Sequence, residues 1–275
     1  MAGVECFDGT TYARSVRTPS GAVVAAMSAA DGGIDVRLTG PSDATPDVLQ
    51  RLGHLLSLAG DTAAAERHLA GDAVVGRSVL ARPGLRSPGS LDDGETLVRT
   101  VVGQQVSLAG ARTVLGRMAA DLGEPLGLQV DGVGLLFPTM AALAAADPLR
   151  LPMPRSRARA VVACAVAAAG GLPARSALLA LAGVGPWTAD YVDLRCRRDP
   201  DVFLASDLAV RRMLERVGLD GSPKAAAARA AGWSPYRSMA LIHLWTDYLE
   251  PPPTPQPPPP RSHPPPRTCL TQCGF

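Results

Sequence analysis

Across residues 92–250, apolar residues recur at helical spacing almost without interruption, and Gly and Pro cut the run into pieces. Segments near 92–106, 108–122, 138–146, 155–169, 174–181, 186–197, 206–217, 223–231 and 235–249 are expected to be helices. One short extended piece is expected around residues 130–136. A run of this kind folds as a mainly α domain in which short helices bury one stripe against each other. The pieces share no constant period, which disfavours a helical-repeat scaffold.

The preceding residues are patterned differently. Tyr12, Val16, Val23, Val24, Ile34, Val36 and Leu38 alternate with polar positions between Gly-rich turns, so residues 1–40 are expected to form an antiparallel meander. Pro46 starts a helix carrying Val48, Leu49, Leu52, Leu55 and Leu56, and Asp61 is expected to cap a second one ending near Gly71. The chain is thus expected to be mainly α, with a small α+β domain over residues 1–84 and an all-helical domain over 85–250. The proline-rich segment 251–275 has no means of forming a core and is expected to be a disordered tail.

Composition narrows the chemistry. A formal net charge of +2 over 275 residues offers no bulk basic surface, so nucleic acid would have to be held by local clusters or backbone amides. Lys224 is the only lysine, which leaves amine chemistry to that residue and the N-terminus. The five cysteines (Cys6, Cys164, Cys196, Cys269 and Cys273) follow no metal-knuckle spacing. No apolar leader or stretch of about 18 apolar residues appears, so a cytoplasmic protein is expected.

The most informative stretch runs from Leu178 to Tyr191. It reads as a helix, a Gly183-Val184-Gly185 turn, and a second helix with Pro186 at its first position. Glycines there allow a tight turn and close approach to another surface, and the amides of Gly183, Val184, Gly185 and Thr188 suit an anion such as a DNA phosphate. An ordinary corner between two helices fits the same residues. Some twenty residues on, an apolar stretch enters a helix beginning with Ser206 and Asp207. Either residue suits the N-cap; with Ser206 as cap, Asp207 would be free to face a cleft.

The order Leu-x-Gly-Val-Gly-Pro-Trp-Thr-Ala, then Phe203-x-x-x-Asp207, resembles the helix-hairpin-helix DNA glycosylases, most closely the AlkA-type 3-methyladenine branch. Supporting motifs are Val101 to Ser107, Leu136-Phe137-Pro138-Thr139, Trp233 to Ser238, and His243-Leu244-Trp245. The resemblance covers roughly residues 85–250, and the leading region resembles the family's N-terminal domain in shortened form. A missing first element there would expose a sheet edge.

The resemblance implies a monomeric enzyme of base excision repair that binds double-stranded DNA and flips out alkylated bases. It makes Asp207 the catalytic carboxylate and Trp187, Tyr191 and Trp245 an aromatic base pocket. Gln105 takes the wedge position with Gln104 beside it, where relatives carry Leu at the wedge. Trp187 and Tyr191, at i and i+4, share a helix face, and stacking a cationic base between electron-rich rings adds about 0.5–2 kcal/mol. Core aromatics would show the same spacing. Bifunctional relatives carry a lysine where this chain has Trp187, so the reaction is expected to stop at the abasic site. No cofactor is expected to be required; a monovalent cation at the backbone carbonyls of Leu179, Leu181 and Val184 is implied for the DNA-bound hairpin. The alternatives are a non-catalytic DNA-binding hairpin protein and a glycosylase for oxidised or mismatched bases.

Overall fold

The computed structural model describes residues 1–250; the proline-rich segment, with Cys269 and Cys273, lies outside the described residues. Four strands, β1 (Glu5–Phe7), β2 (Thr11–Thr18), β3 (Gly21–Ala30) and β4 (Gly33–Thr39), form the expected antiparallel meander in the order β1-β2-β3-β4. Register pairs such as Val16 with Val23 and Met27 with Val36 lie on one face of the sheet. Val23, Ala25 and Met27 pack with Val48 and Leu52 of α1 (Thr45–Leu55), which has Pro46 in its first turn. The alternate residues Ala22, Val24 and Ala26 pack on the hairpin β5 (Glu124–Val130) and β6 (Val133–Leu136). Both faces of the sheet are thus covered, as a period of two allows. β1 is an edge strand; just before it, Gly3 O accepts from the amides of Gly134 and Leu135 (both 2.8 Å), bringing β6 alongside.

Two further short helices, α2 (Ala63–Leu69) and α3 (Gly76–Ala81), precede the helical run. Asp61 accepts from Ala63 N (2.9 Å) at the start of α2, while α3 was not anticipated from the pattern. The run itself comprises α4 (Asp93–Val102), α5 (Leu108–Leu122), α6 (Met140–Ala144), α7 (Arg155–Ala168), α8 (Arg175–Leu179), α9 (Pro186–Val192), α10 (Leu208–Arg216), α11 (Pro223–Ala230) and α12 (Arg237–Leu249). Asp92, Ser107, Thr139 and Ser222 cap α4, α5, α6 and α11 through side-chain oxygens. Beyond α9 the helix widens into a π turn over Asp193–Arg197.

Two cores position the site, and each recruits residues from the front of the chain. Met1 and Val4 join Leu97, Val101, Met118, Val161, Leu178 and Val192. Leu69, Val75 and Val79 of the α2–α3 region join Leu194, Leu204, Leu214, Trp233, Leu241 and Leu244. The described residues before and after residue 84 thus share both cores.

Candidate functional site

Asp207 is the point at which three elements meet. It is half-buried at the head of α10, and it is the N-cap: Oδ1 accepts from the amides of Ala209 (3.0 Å) and Val210 (3.3 Å). The expectation that Ser206 would cap and release Asp207 is therefore corrected. Ser206 is exposed, and capping does not remove Asp207 from the site, because the carboxylate has other partners on its two oxygens. Trp245 Nε1 of α12 donates to Oδ1 (3.0 Å) and Trp187 Nε1 of α9 donates to Oδ2 (3.2 Å). Oδ1 therefore carries three donors, while Oδ2 carries one and keeps acceptor capacity. None of the ion pairs among the described residues involves Asp207. The charge is held by neutral dipoles.

The three aromatics expected together are together. Trp187 and Tyr191 stack with centroids 5.4 Å apart and planes at 21°, and Tyr191 lies 6.0 Å from Trp245 at 40°. At that spacing Trp187 and Tyr191 are already in mutual contact, so no slot for a base exists between them. Arg195, one turn beyond Tyr191, places Cζ 5.6 Å from the Tyr191 ring and donates to its hydroxyl (3.0 Å) and to Gly89 O (3.1 and 3.2 Å). A resident cation against Tyr191 opposes a second one there, leaving the two indoles as the electron-rich faces for a cationic ligand. Arg195 was not anticipated, although its i+4 spacing from Tyr191 is visible in the sequence.

The hairpin is formed by α8, the Gly183-Val184-Gly185 turn and α9. Gly183 adopts φ +87°, a left-handed conformation that favours glycine, and an added Cβ would sit 2.9 Å from Ala160 Cβ. A Cβ at Gly185 would meet nothing within 4 Å, so that position is open to an approaching surface. Arg175 of α8 pairs with Asp190 (2.7 Å) and Asp193 (2.5 Å), fixing the two hairpin helices against each other. Thr188, by contrast, is 2% exposed, so its side chain is not displayed toward a backbone. Its hydroxyl accepts from Gln104 Nε2 (2.8 Å), which also donates to Gly183 O (3.1 Å). Gln104 is thus tied to the hairpin, whereas Gln105 is exposed with φ +54°.

Of the backbone oxygens proposed for a cation, Leu181 O accepts from Val184 N (3.1 Å), which uses one of two lone pairs. Among the described residues no group of three His, Cys, Asp or Glu side chains suits a metal ion, so a cation here would depend on such carbonyls. Lys224 is exposed in the first turn of α11, and the N-terminal amine is buried against Glu5 (3.2 Å). A cavity of about 230 Å³ lies elsewhere, lined by Arg14, Arg17, Arg51, Leu91, Phe137 and Thr139, and contains none of the expected site residues.

Comparison with known proteins agrees with this architecture. Residues 1–92 match the family model described as the AlkA N-terminal domain. The chain is 36% identical over 264 residues to a probable bifunctional transcriptional activator/DNA repair enzyme AlkA of Mycobacterium tuberculosis, covering 90% of this chain and 52% of that protein. The chain is thus similar to AlkA proteins both in its front segment and along most of its length. Another AlkA relative, DNA-3-methyladenine glycosylase 2 of Escherichia coli, is 39% identical over 184 residues, covering 62% of this chain and 63% of that one. The chain therefore spans about half to two thirds of the length of these curated relatives. The solved 3-methyladenine DNA-glycosylase of Archaeoglobus fulgidus shares the fold of this chain, with a TM-score of 0.76 at 20% identity over 90% of this chain and 89% of that one.

Proposed function

We propose that this chain is a monofunctional DNA glycosylase that removes alkylated bases, such as 3-methyladenine and 7-methylguanine, from double-stranded DNA and leaves an abasic site. The observation that carries the reading is an Asp207 carboxylate with no cationic partner among the described residues, set between two indoles. The names of the Mycobacterium and Escherichia relatives support the substrate class. A base must leave the stack to reach such a site. Once it stacks on an indole, a cationic base gains an attraction that a neutral one lacks.

The bond that breaks joins the base nitrogen to the sugar carbon. The base departs with the bonding electrons and becomes neutral, while positive charge develops on the sugar. Asp207 Oδ2 retains a lone pair to face that charge, and the fixed donors on the carboxylate spare the site reorganisation as charge forms. Water completes the reaction at the sugar carbon and releases a proton. An alkylated base needs no strong general acid to leave, which suits a site with one carboxylate. The hairpin turn supplies backbone groups for sequence-independent grip on DNA. A monovalent cation held by Leu179, Leu181 and Val184 carbonyls would add to that grip. The same reading makes the protein a monomer working in the cytoplasm; among the described residues no helix is long and apolar enough to cross a membrane.

The deciding experiment compares wild type with Asp207→Asn on methylated duplex DNA. Asn keeps a capping oxygen but loses the charge, and release of 3-methyladenine is expected to fall about 10²–10³-fold. A wild type that releases none removes the function; equal release by both proteins removes the role of Asp207. A borohydride-trapped covalent adduct would contradict the monofunctional assignment.

A further inference from the structure

The loop between α4 and α5 combines two adjacent glutamines with opposite fates. Gln105 is exposed on a left-handed backbone, a conformation that is costly for a non-glycine residue and persists only where the surroundings enforce it. Gln104 supplies an enforcing contact. Its Nε2 donates both hydrogens across to the hairpin, to Gly183 O at 3.1 Å and to Thr188 Oγ1 at 2.8 Å. These anchors lie on either side of the turn: Gly183 is itself left-handed and packed on Ala160, and Thr188 is buried next to Trp187. Ser107 closes the far side of the loop by capping α5 through Gly110 N (3.1 Å). A side chain spending both donors on the protein keeps only its carbonyl oxygen for DNA.

We propose that Gln104 is a positioning residue: a latch between the hairpin and the loop that presents Gln105, so that gripping the backbone and inserting Gln105 occur as one rigid event. This rests on the glycosylase reading. Gln105, the free member of the pair, keeps a donor and an acceptor for the groups exposed when a base leaves the duplex. The latch needs the Thr188 hydroxyl as acceptor, so its chemistry can be deleted from either end.

The test uses the full chain in four forms: wild type, Gln104→Ala, Thr188→Val and Thr188→Ser. Hydrogen exchange on the free proteins reads the latch without any substrate. Amides of residues 103–107 and 183–188 are expected to exchange about three- to tenfold faster in Q104A and T188V, the loss of one or two net hydrogen bonds, and at the wild-type rate in T188S. Fluorescence of 2-aminopurine placed beside an abasic-site analogue then reads base displacement at saturating protein. It is expected to drop several-fold in Q104A and T188V, with T188S restoring it. The double variant Q104A/T188V should be no worse than Q104A alone, which already lacks both bonds. Unchanged exchange in both segments overturns the latch, as does additivity of the two substitutions or a T188S that behaves like T188V. If wild type excises no alkylated base while the exchange pattern appears as described, the glycosylase reading fails and the latch stands.

Discussion

The buried carboxylates at the front of the chain and the half-buried Asp207 are held in opposite ways. At the junction of the sheet and α4, Glu5 and Glu95 are surrounded by cations. Glu95 takes Arg14 on both oxygens (3.0 and 2.8 Å) and Arg99 on one (2.9 Å), while Glu5 takes Arg99 (3.0 Å), the N-terminal amine (3.2 Å) and the Tyr12 hydroxyl (2.7 Å). Asp207 has two indoles and two amides instead. The first arrangement neutralises charge and fastens the front of the chain to the helical run. The second orients a charge with neutral donors and leaves it open to a positive partner. A cationic base and a developing sugar cation are such partners. Formal charge burial alone thus does not mark a site; the sign of the partners does.

The sharpest way to break this comparison is to delete a member of the neutralised cluster. Glu95→Ala leaves the buried Arg14 with only Glu5 at 4.0 Å, and loss of one partner of a buried pair is expected to cost about 3–5 kcal/mol of unfolding free energy in denaturant titration. Base release per folded molecule should stay within about twofold, since the cluster shares no hydrogen-bond partner with Asp207 among the described residues. A loss of release at unchanged stability would mean that the cluster belongs to the active machinery.

A second, somewhat smaller effect separates the regions by pH. Burial alone would raise the Glu5 carboxyl, but Arg99, Tyr12 and the terminal amine outweigh it and hold the group near about 2 rather than 4.5. A depressed folded value means that the contribution is fully present above pH about 4.5 and is lost as pH falls towards about 2. The difference corresponds to about 3 kcal/mol, read as the slope of stability against pH in that window. Glu5→Gln should remove that slope. His243 adds a separate, higher window. Its buried ring is pushed down to about 4, so the unfolded chain binds its proton first, and stability falls as pH drops from about 6.5 to about 4.

Much of this architecture was legible because punctuation residues have local meaning. Pro186 and Pro46 fell in the first turns of helices, Gly183 was left-handed, and the meander followed its alternation. Where local chemistry is ambiguous, the sequence reading stopped short. Ser206 and Asp207 cap equally well in principle, and the choice is decided by Trp187 and Trp245, which are 20 and 38 residues from Asp207. The α3 helix has no capping side chain and is held by Val79 against the α10–α12 core, a tertiary cause with no local trace. The β5–β6 hairpin begins earlier than residue 130 because Glu124, Pro125 and Gly127 are poor strand formers recruited by pairing and by burial of Leu126. The Gln104 latch joins residues 84 positions apart, and no spacing rule reaches that far.

The smallest effect tests the oriented charge itself. Replacing either tryptophan by phenylalanine keeps an aromatic face but removes one donor to Asp207. Oδ1 would still have the amides of Ala209 and Val210 after Trp245→Phe, so its position should hold. Oδ2 would lose its one donor among the described residues after Trp187→Phe, and the carboxylate could then turn about its cap. Single-turnover release of 3-methyladenine is therefore expected to fall about five- to tenfold in W187F, the scale of one hydrogen bond to a charged group, and only about twofold in W245F. Substrate affinity should change little in both, because the stacking faces remain. Equal losses in the two variants would place the indoles' contribution in stacking rather than in hydrogen bonding, and Asp207 would then be held by its helix alone.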